Sequence, residues 1–361
     1  MKLFMNWLRE HKILFLLNLT LVLLTAACII GYAAVSKTLH HVDSAKNWAG
    51  EGELFYSYMS CFMPVNEKID ENTVYSFGKT VDEKMVEASL EAKEGANLWN
   101  FAYSGTGMVT ASTNRGTAQV NATGIGGDFF FFHRFYLRDG NYISGSDLMK
   151  DKVVIDKELA WTLFGATEVA GMELLINGDR YIVAGVIEPD GDFASKAAKT
   201  ENGGLYMAYE KLAELTSAGI ECYEAVIPSP VKNFAANITR ENFPLKTAEI
   251  IEVNRRYSIG NIIGVLGSFG ERSMRVDGIV FPEWENAARL TEDYCAALLL
   301  FAAVFSIVPI VSLIFAVYKN GKIYGGKLKV LAKEKAKLIS EKYNNMLYER
   351  EQRLKKQSGG R

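Results

Sequence analysis

Hydrophobic and polar positions follow two rhythms along this chain, one of period two and one near 3.6, and together they predict most of its elements. The clearest run is residues 153–187. Val153, Val154 and Ile155 form a short apolar strand, Asp156 stands where a side chain caps a following helix, and Leu159 and Leu163 mark that helix's inward face. Gly165 ends the helix. Gly171 opens a strand in which Met172, Leu174 and Ile176 share one face. Asn177-Gly178 supplies the positive φ angles of a tight turn, and 181–186 returns as the second arm of a hairpin.

Upstream, 54–63 reads as a strand, 81–93 as a helix with Val81, Met85, Val86 and Leu90 on one side, and 98–109 and 119–125 as two further strands. A β-α-β-β order predicts an α+β layer with a helix over one face of a sheet. Gly124 to Asp128 reads as a turn ahead of the aromatic run Phe129 to Phe132; it lacks the Lys-Ser/Thr ending of a phosphate loop. Downstream, strand 222–228, helix 231–241 and strand 247–253 make a second βαβ set. Glu188, Asp190 and Asp192 lie in a Pro/Gly loop without the spacing of a calcium hand and read as solvated charge, and 196–204 reads as a mobile polar link.

Two stretches break the alternation altogether. Residues 13–35 and 295–317 are almost continuously apolar, and at about 1.5 Å per residue each is long enough to cross a hydrocarbon core of about 30 Å. The expected organisation is an amphipathic cytoplasmic segment at 1–12, a transmembrane helix at 13–35, an extracytoplasmic domain at 36–293, a second transmembrane helix at 294–318 and a basic helical tail at 319–361. Asn18, Thr20, Thr25, Ser306 and Ser312 are the polar positions expected to face a partner helix, and Pro309 is expected to kink the second span. Residues 36–49 read as a polar stalk; the neighbouring His40 and His41 point apart on either a helix or a strand, so a metal site is not expected there.

Charge changes this picture by orienting it. Residues 319–361 carry 13 Lys and Arg against 4 Asp and Glu, and Lys2, Arg9 and Lys12 precede the first span, so the positive-inside rule places both termini in the cytoplasm of a cell membrane and the acidic middle outside. A cleaved signal peptide is the competing reading of the first span, against which stands the length of its apolar run. Residues 327–356 contain neither Pro nor Gly and predict a basic amphipathic helix. Anionic lipid would attract it at about 1 kcal/mol per basic residue near the surface, and docking on a cytoplasmic partner is the sharper alternative. Arg255, Arg256, Arg272, Arg275 and Arg289 are interleaved with acids and lead back to the bilayer, with Trp284 at its outer interface; no nucleic-acid partner is expected. Of the 4 cysteines, Cys61 and Cys222 fall outside the membrane and are expected as free thiols.

The order of elements in 153–187 is specific. An apolar strand, a helix ending Leu163-Phe164-Gly165, then Gly171, an Asn-Gly hairpin and Val183-Ala184-Gly185-Val186 resembles the extracytoplasmic core domain of MacB-type ABC transporter permeases, a superfamily that includes FtsX and the lipoprotein-releasing permeases. The likeness extends over Gly124 to Asp190. It implies an α+β fold of βαβ units (Porter) with an inserted β-rich subdomain (Sabre), here at about 148–215, and the two apolar stretches of this chain would anchor it as two transmembrane helices. It also implies partners: membrane lipid, a separate ABC ATPase and a multi-span permease subunit, with homo- or hetero-oligomers left open. Family permeases usually carry four spans. In the family, the helices absent here include the pair joined by the cytoplasmic coupling segment that touches the ATPase.

Catalytic chemistry is poorly supplied. There is no Gly-x4-Gly-Lys-Ser/Thr, no Gly-x-Ser-x-Gly and no His-Glu-x-x-His, and only 4 histidines, so no catalytic, cofactor or metal site is expected. The first functional reading is a non-catalytic permease-type subunit that couples membrane-helix motion to an outer domain, for export or mechanotransmission. The second is a membrane-anchored binding or sensory module. A hydrolase would require a pocket collecting Glu188, Asp190, Asp192 and His133, which their spacing gives no reason to expect.

Overall fold

The computed structural model describes residues 12–52, 54–92, 97–200 and 202–358. The expected amphipathic segment at 1–12 therefore lies, apart from Lys12, outside the described residues. In chain order the helices are α1 (Lys12–Val35), α2 (Ser44–Ala49), α3 (Glu71–Glu87), α4 (Phe129–Phe132), α5 (Lys157–Phe164), α6 (Phe193–Ala198), α7 (Tyr209–Thr216), α8 (Phe234–Asn242), α9 (Ile259–Val265) and α10 (Glu283–Ser358). The strands are β1 (Tyr56–Phe62), β2 (Asn100–Ser112), β3 (Thr117–Gly127), β4 (Tyr136–Gly140), β5 (Lys152–Asp156), β6 (Glu173–Ile176), β7 (Asp179–Glu188), β8 (Leu205–Ala208), β9 (Cys222–Pro228) and β10 (Glu249–Glu252).

Residues Ile30–Leu299 form one compact unit, and Met1–Ile29 with Leu300–Arg361 the other. In the first unit the strands run β10-β1-β9-β2-β3-β8-β5-β7-β4, with β6 bridging β2 and β7. β9 and β10 both lie antiparallel to β1, one on each side, so β9-α8-β10 is a βαβ unit split by a strand from the other end of the domain. The inserted segment is hydrogen-bonded into the same sheet through the parallel β3–β8 pair.

Alternation places successive β1 side chains on opposite faces. Met59 and Cys61 pack with Val74, Phe77 and Val81 of α3 on one face; Tyr58 packs with Phe129, Phe132 and Ala45 on the other. The inserted strands share a second core with β2 and β3, in which Val153, Ile155, Leu159, Leu163, Leu174 and Ile176 are buried with Val109, Ala111, Val120 and Ala122. Asp156 caps α5 by accepting from the Leu159 amide at 2.7 Å, and Gly165 ends it at φ +71°, with a Cβ there meeting the Arg115 guanidinium at 2.9 Å. Asn177 and Gly178 turn the β6–β7 hairpin at φ +51° and +100°.

Several expectations are corrected. Met172 precedes β6 and is exposed, because its amide closes a turn back to Val169. The helix expected at 81–93 spans Glu71–Glu87: Asp70 caps it through the Thr73 amide at 2.9 Å. Gly124 to Gly127 close strand β3, and the Tyr103 ring lies where a Gly126 side chain would go. Residues 36–49 are not a solvated stalk, since Leu39 and Ala45 are buried and the Ser44 hydroxyl donates to the Phe132 carbonyl at 3.3 Å. Within 196–204, expected to be a mobile link, Lys196 to Ala198 complete α6, which Asp192 caps. Thr20, Thr25 and Ser306 donate to carbonyls of their own helices, and Asn18 does so through its amide nitrogen while its Oδ1 has no partner among the described residues. The second apolar stretch and the basic tail belong to one helix, which continues through Pro309.

Candidate functional site

The residues that stand out chemically surround the first turns of α10. Glu285, Arg289 and Glu292 are spaced i, i+4, i+7 and so share one helical face. That face meets Arg256, delivered by the short 3-10 turn Val253–Arg255 that follows β10. The Arg256 guanidinium grips Glu285 with both prongs at 2.9 Å and donates through Nε to Glu292 at 2.7 Å. Arg289 donates to the other side of Glu285 at 2.7 Å and reaches Glu249 of β10 at 2.5 Å. Its guanidinium also lies 3.7 Å from the centre of the Phe281 ring. Arg272 approaches Glu292 at 2.5 Å as an ion pair without hydrogen-bond geometry.

Arg256, Glu285, Arg289 and Glu292 are each no more than 3 % exposed. Burial opposes the charge on Arg256, and the carboxylates of Glu285 and Glu292 outweigh it, holding the guanidinium well above its ordinary pKa. A buried ionic cluster of this kind adds little net stability over an apolar core, but losing one member leaves uncompensated charge. It therefore fixes geometry.

The end of α1 enters the same assembly. The Tyr32 hydroxyl donates to the Tyr257 carbonyl at 2.6 Å, and the Tyr257 hydroxyl donates to the Ala288 carbonyl at 3.3 Å. Tyr257, adjacent to Arg256, thus ties both helices to one turn of the domain. Ile262 and Val265 of α9 pack with Tyr32, Val35, Cys295, Ala296 and Leu299 immediately below.

A cleft of about 300 Å³ opens beside the start of α10, walled by Asp156, Glu158, Glu188, Lys199, Glu283 and Trp284. Lys157 pairs with Glu188, and Lys199 with Asp156 and Glu158, so the charges largely answer one another. Burial raises the pKa of Asp156 and of Glu283, whose carboxylate accepts from the Thr200 amide at 2.7 Å.

Of the four residues a hydrolase would need together, Glu188 and Asp190 line this cleft, whereas Asp192 caps α6. His133 is buried elsewhere, 2.6 Å from Glu224, which also accepts from the Tyr58 hydroxyl at 2.5 Å. Trp284, expected at the membrane interface, packs instead on His133 and Phe129 at centroid distances of 4.3 and 5.4 Å. Among the described residues no group of three or more His, Cys, Asp and Glu is arranged to hold a metal. Cys61 and Cys222 are buried and free, and burial, with the Glu224 carboxylate adding to it, pushes both thiols up, away from the reactive thiolate.

Sequence reasoning missed the ionic cluster. The arginines were visible, but nothing local marks Arg256 as the partner of a helix face nearly thirty residues on. The i, i+4, i+7 placement of Glu285, Arg289 and Glu292 just ahead of an apolar run was the available signal.

The architecture is that of an α+β outer domain carried between two helices long and apolar enough to cross a membrane, Lys12–Val35 and Glu283–Lys319. The family model for the MacB-like periplasmic core domain matches residues 21–239, and the chain belongs to that family. It is a membrane protein of the ABC transporter permease-like class with a large extracytoplasmic domain. No curated protein matches it. Among solved structures it is similar to the extracellular domain of the noncanonic ABC-type transporter YknZ from Gram-positive bacteria, at 14 % identity and a TM-score of 0.37, over 54 % of this chain and 99 % of that one. It is also similar to the periplasmic region of MacB from Actinobacillus actinomycetemcomitans, at 15 % identity and a TM-score of 0.39, over 55 % of this chain and 89 % of that one.

Proposed function

We infer that this chain is a non-catalytic permease-type subunit in which the outer domain and the membrane helices move as coupled parts. Both termini are cytoplasmic in this reading, residues 36–293 lie outside, and a separate ABC ATPase and a multi-span permease subunit supply the hydrolysis and further membrane helices. The observation that carries it is the buried grip of Arg256 and Arg289 on Glu285 and Glu292, which fixes the start of a membrane helix to the edge strand β10. A tether made of flexible loop would dissipate displacement, whereas in this one Arg256 and Arg289 are held to Glu285 by paired hydrogen bonds in a single arrangement. Purification of the full chain from its native membranes in mild detergent tests the reading. An ATPase and a multi-span permease should accompany it, and recovery of the chain without either contradicts an ABC role.

A sensory module is the second reading, favoured by the cleft. Glu283 and Trp284 line that cleft and are the first residues of α10, so an occupant would press directly on the helix start. Under this reading, deleting residues 327–356 abolishes the response of a cytoplasmic partner while leaving the outer domain folded.

A further inference from the structure

We propose that α9 and the loop after it form an interfacial foot that lies in the outer leaflet of the bilayer, so that the extracytoplasmic domain touches lipid as well as being tethered to it. From Ile259 to Phe269 the chain carries no charged residue. Ile262 and Val265 turn inward and are buried, but Ile259, Ile263 and Phe269 are 59, 55 and 52 % exposed. Gly260, Gly264 and Gly267 share that outer side, and a Cβ on any of them would meet nothing within 4 Å. A helix facing water ordinarily carries charged and polar side chains on its outer face. This one presents Ile259, Ile263 and bare backbone, and its one exposed polar side chain, Asn261, is turned back to the Arg255 carbonyl at 2.8 Å.

Location argues for lipid as the occupant. The inner face of α9 packs on Cys295, Ala296 and Leu299, the first residues of the second apolar stretch, and on Tyr32 and Val35, the last of the first stretch. The foot therefore packs on the residues from which both apolar stretches leave the domain. Short helices with one apolar face lie in the interface plane with that face sunk about 5–10 Å toward the acyl chains. The proposal rests on the two apolar helices crossing a bilayer and on no partner subunit.

The test uses the full chain in phosphatidylcholine nanodiscs. Cys28 and Cys295 are replaced by serine, and an environment-sensitive fluorophore is placed singly at Ile263→Cys or Phe269→Cys. Arg180→Cys on the β6–β7 hairpin serves as the solvent reference, and Phe315→Cys as the reference inside the second apolar stretch. Labels at 263 and 269 should emit to the blue of the label at 180. They should also be quenched by lipid carrying a nitroxide near the carbonyl level more than by one near the chain end. Water-like emission at 263 and 269 overturns the proposal. So does blue emission without nitroxide quenching, which would mean that protein, a partner or a second copy, covers the foot. If the label at 315 also escapes quenching, the crossing of the membrane has failed, and the foot falls with it.

Discussion

Arg256 and Glu285 meet in a two-pronged ion pair, both N···O distances 2.9 Å, at a point where the edge of a sheet touches the first turn of a membrane helix. Neither side chain reaches solvent. Removing the guanidinium by Arg256→Ala would leave Glu285 and Glu292 short of their main counter-charge in a dry site. The expected cost is about 3–5 kcal/mol of stability, the range for breaking a buried pair. Urea unfolding of the full chain in mild detergent, followed by near-ultraviolet circular dichroism, measures it.

Tyr32 makes a smaller test of the same joint from the other helix. Tyr32→Phe removes the hydroxyl that donates to the Tyr257 carbonyl, at an expected cost of about 0.5–1.5 kcal/mol. The same unfolding experiment should show a modest fall in midpoint with an unchanged slope. An unaltered midpoint would mean that this bond contributes nothing to holding α1 against the domain.

Asp156 gives a pH dependence of definite sign. Burial raises its pKa in the folded protein, so the folded state keeps a proton that the unfolded chain has already released. Stability then falls as pH rises from about 4, the ordinary aspartate range, through the raised value, and levels off above it. Asp156→Asn keeps an N-cap acceptor but cannot titrate. Across pH 4 to 7, the difference in urea midpoint between wild type and variant should grow in the variant's favour as pH rises. A constant difference would show that Asp156 titrates alike in both states.

Gly165 holds a left-handed conformation at the end of α5, and a side chain there would crowd Arg115. Gly165→Ala should cost about 1–2 kcal/mol from the conformation alone. A thermal melt of the variant checks it, and an unchanged transition would contradict the strain.

These positions differ in how far the sequence discloses them. Asp156, Gly165 and the Asn177-Gly178 hairpin were legible because caps, helix stops and tight turns are decided within a few residues. The start of α3 was not, because Asn72, Thr73, Gly78 and Thr80 are indifferent or poor helix formers and obscure the helical spacing of Val74, Phe77, Val81 and Met85. Trp284 illustrates a harder case: an aromatic residue before an apolar stretch fits a membrane interface equally well, and only the folded chain places His133 and Phe129 against it. The ionic joint was least legible. Each of its arginines, taken alone, has the pattern of a surface charge, and their burial follows from tertiary pairing between β10, the turn after it and α10.

Coupling through the joint requires the start of α10 to be part of the folded domain and not a loose leash. Amide hydrogen exchange of Glu283 to Asp293, in the full chain in nanodiscs, measures this directly. In the wild type these amides should exchange as slowly as those of β1 and β9, and in Arg256→Gln/Arg289→Gln they should exchange much faster while β1 and β9 keep most of their protection. Equal exchange of the segment in wild type and variant would contradict the joint.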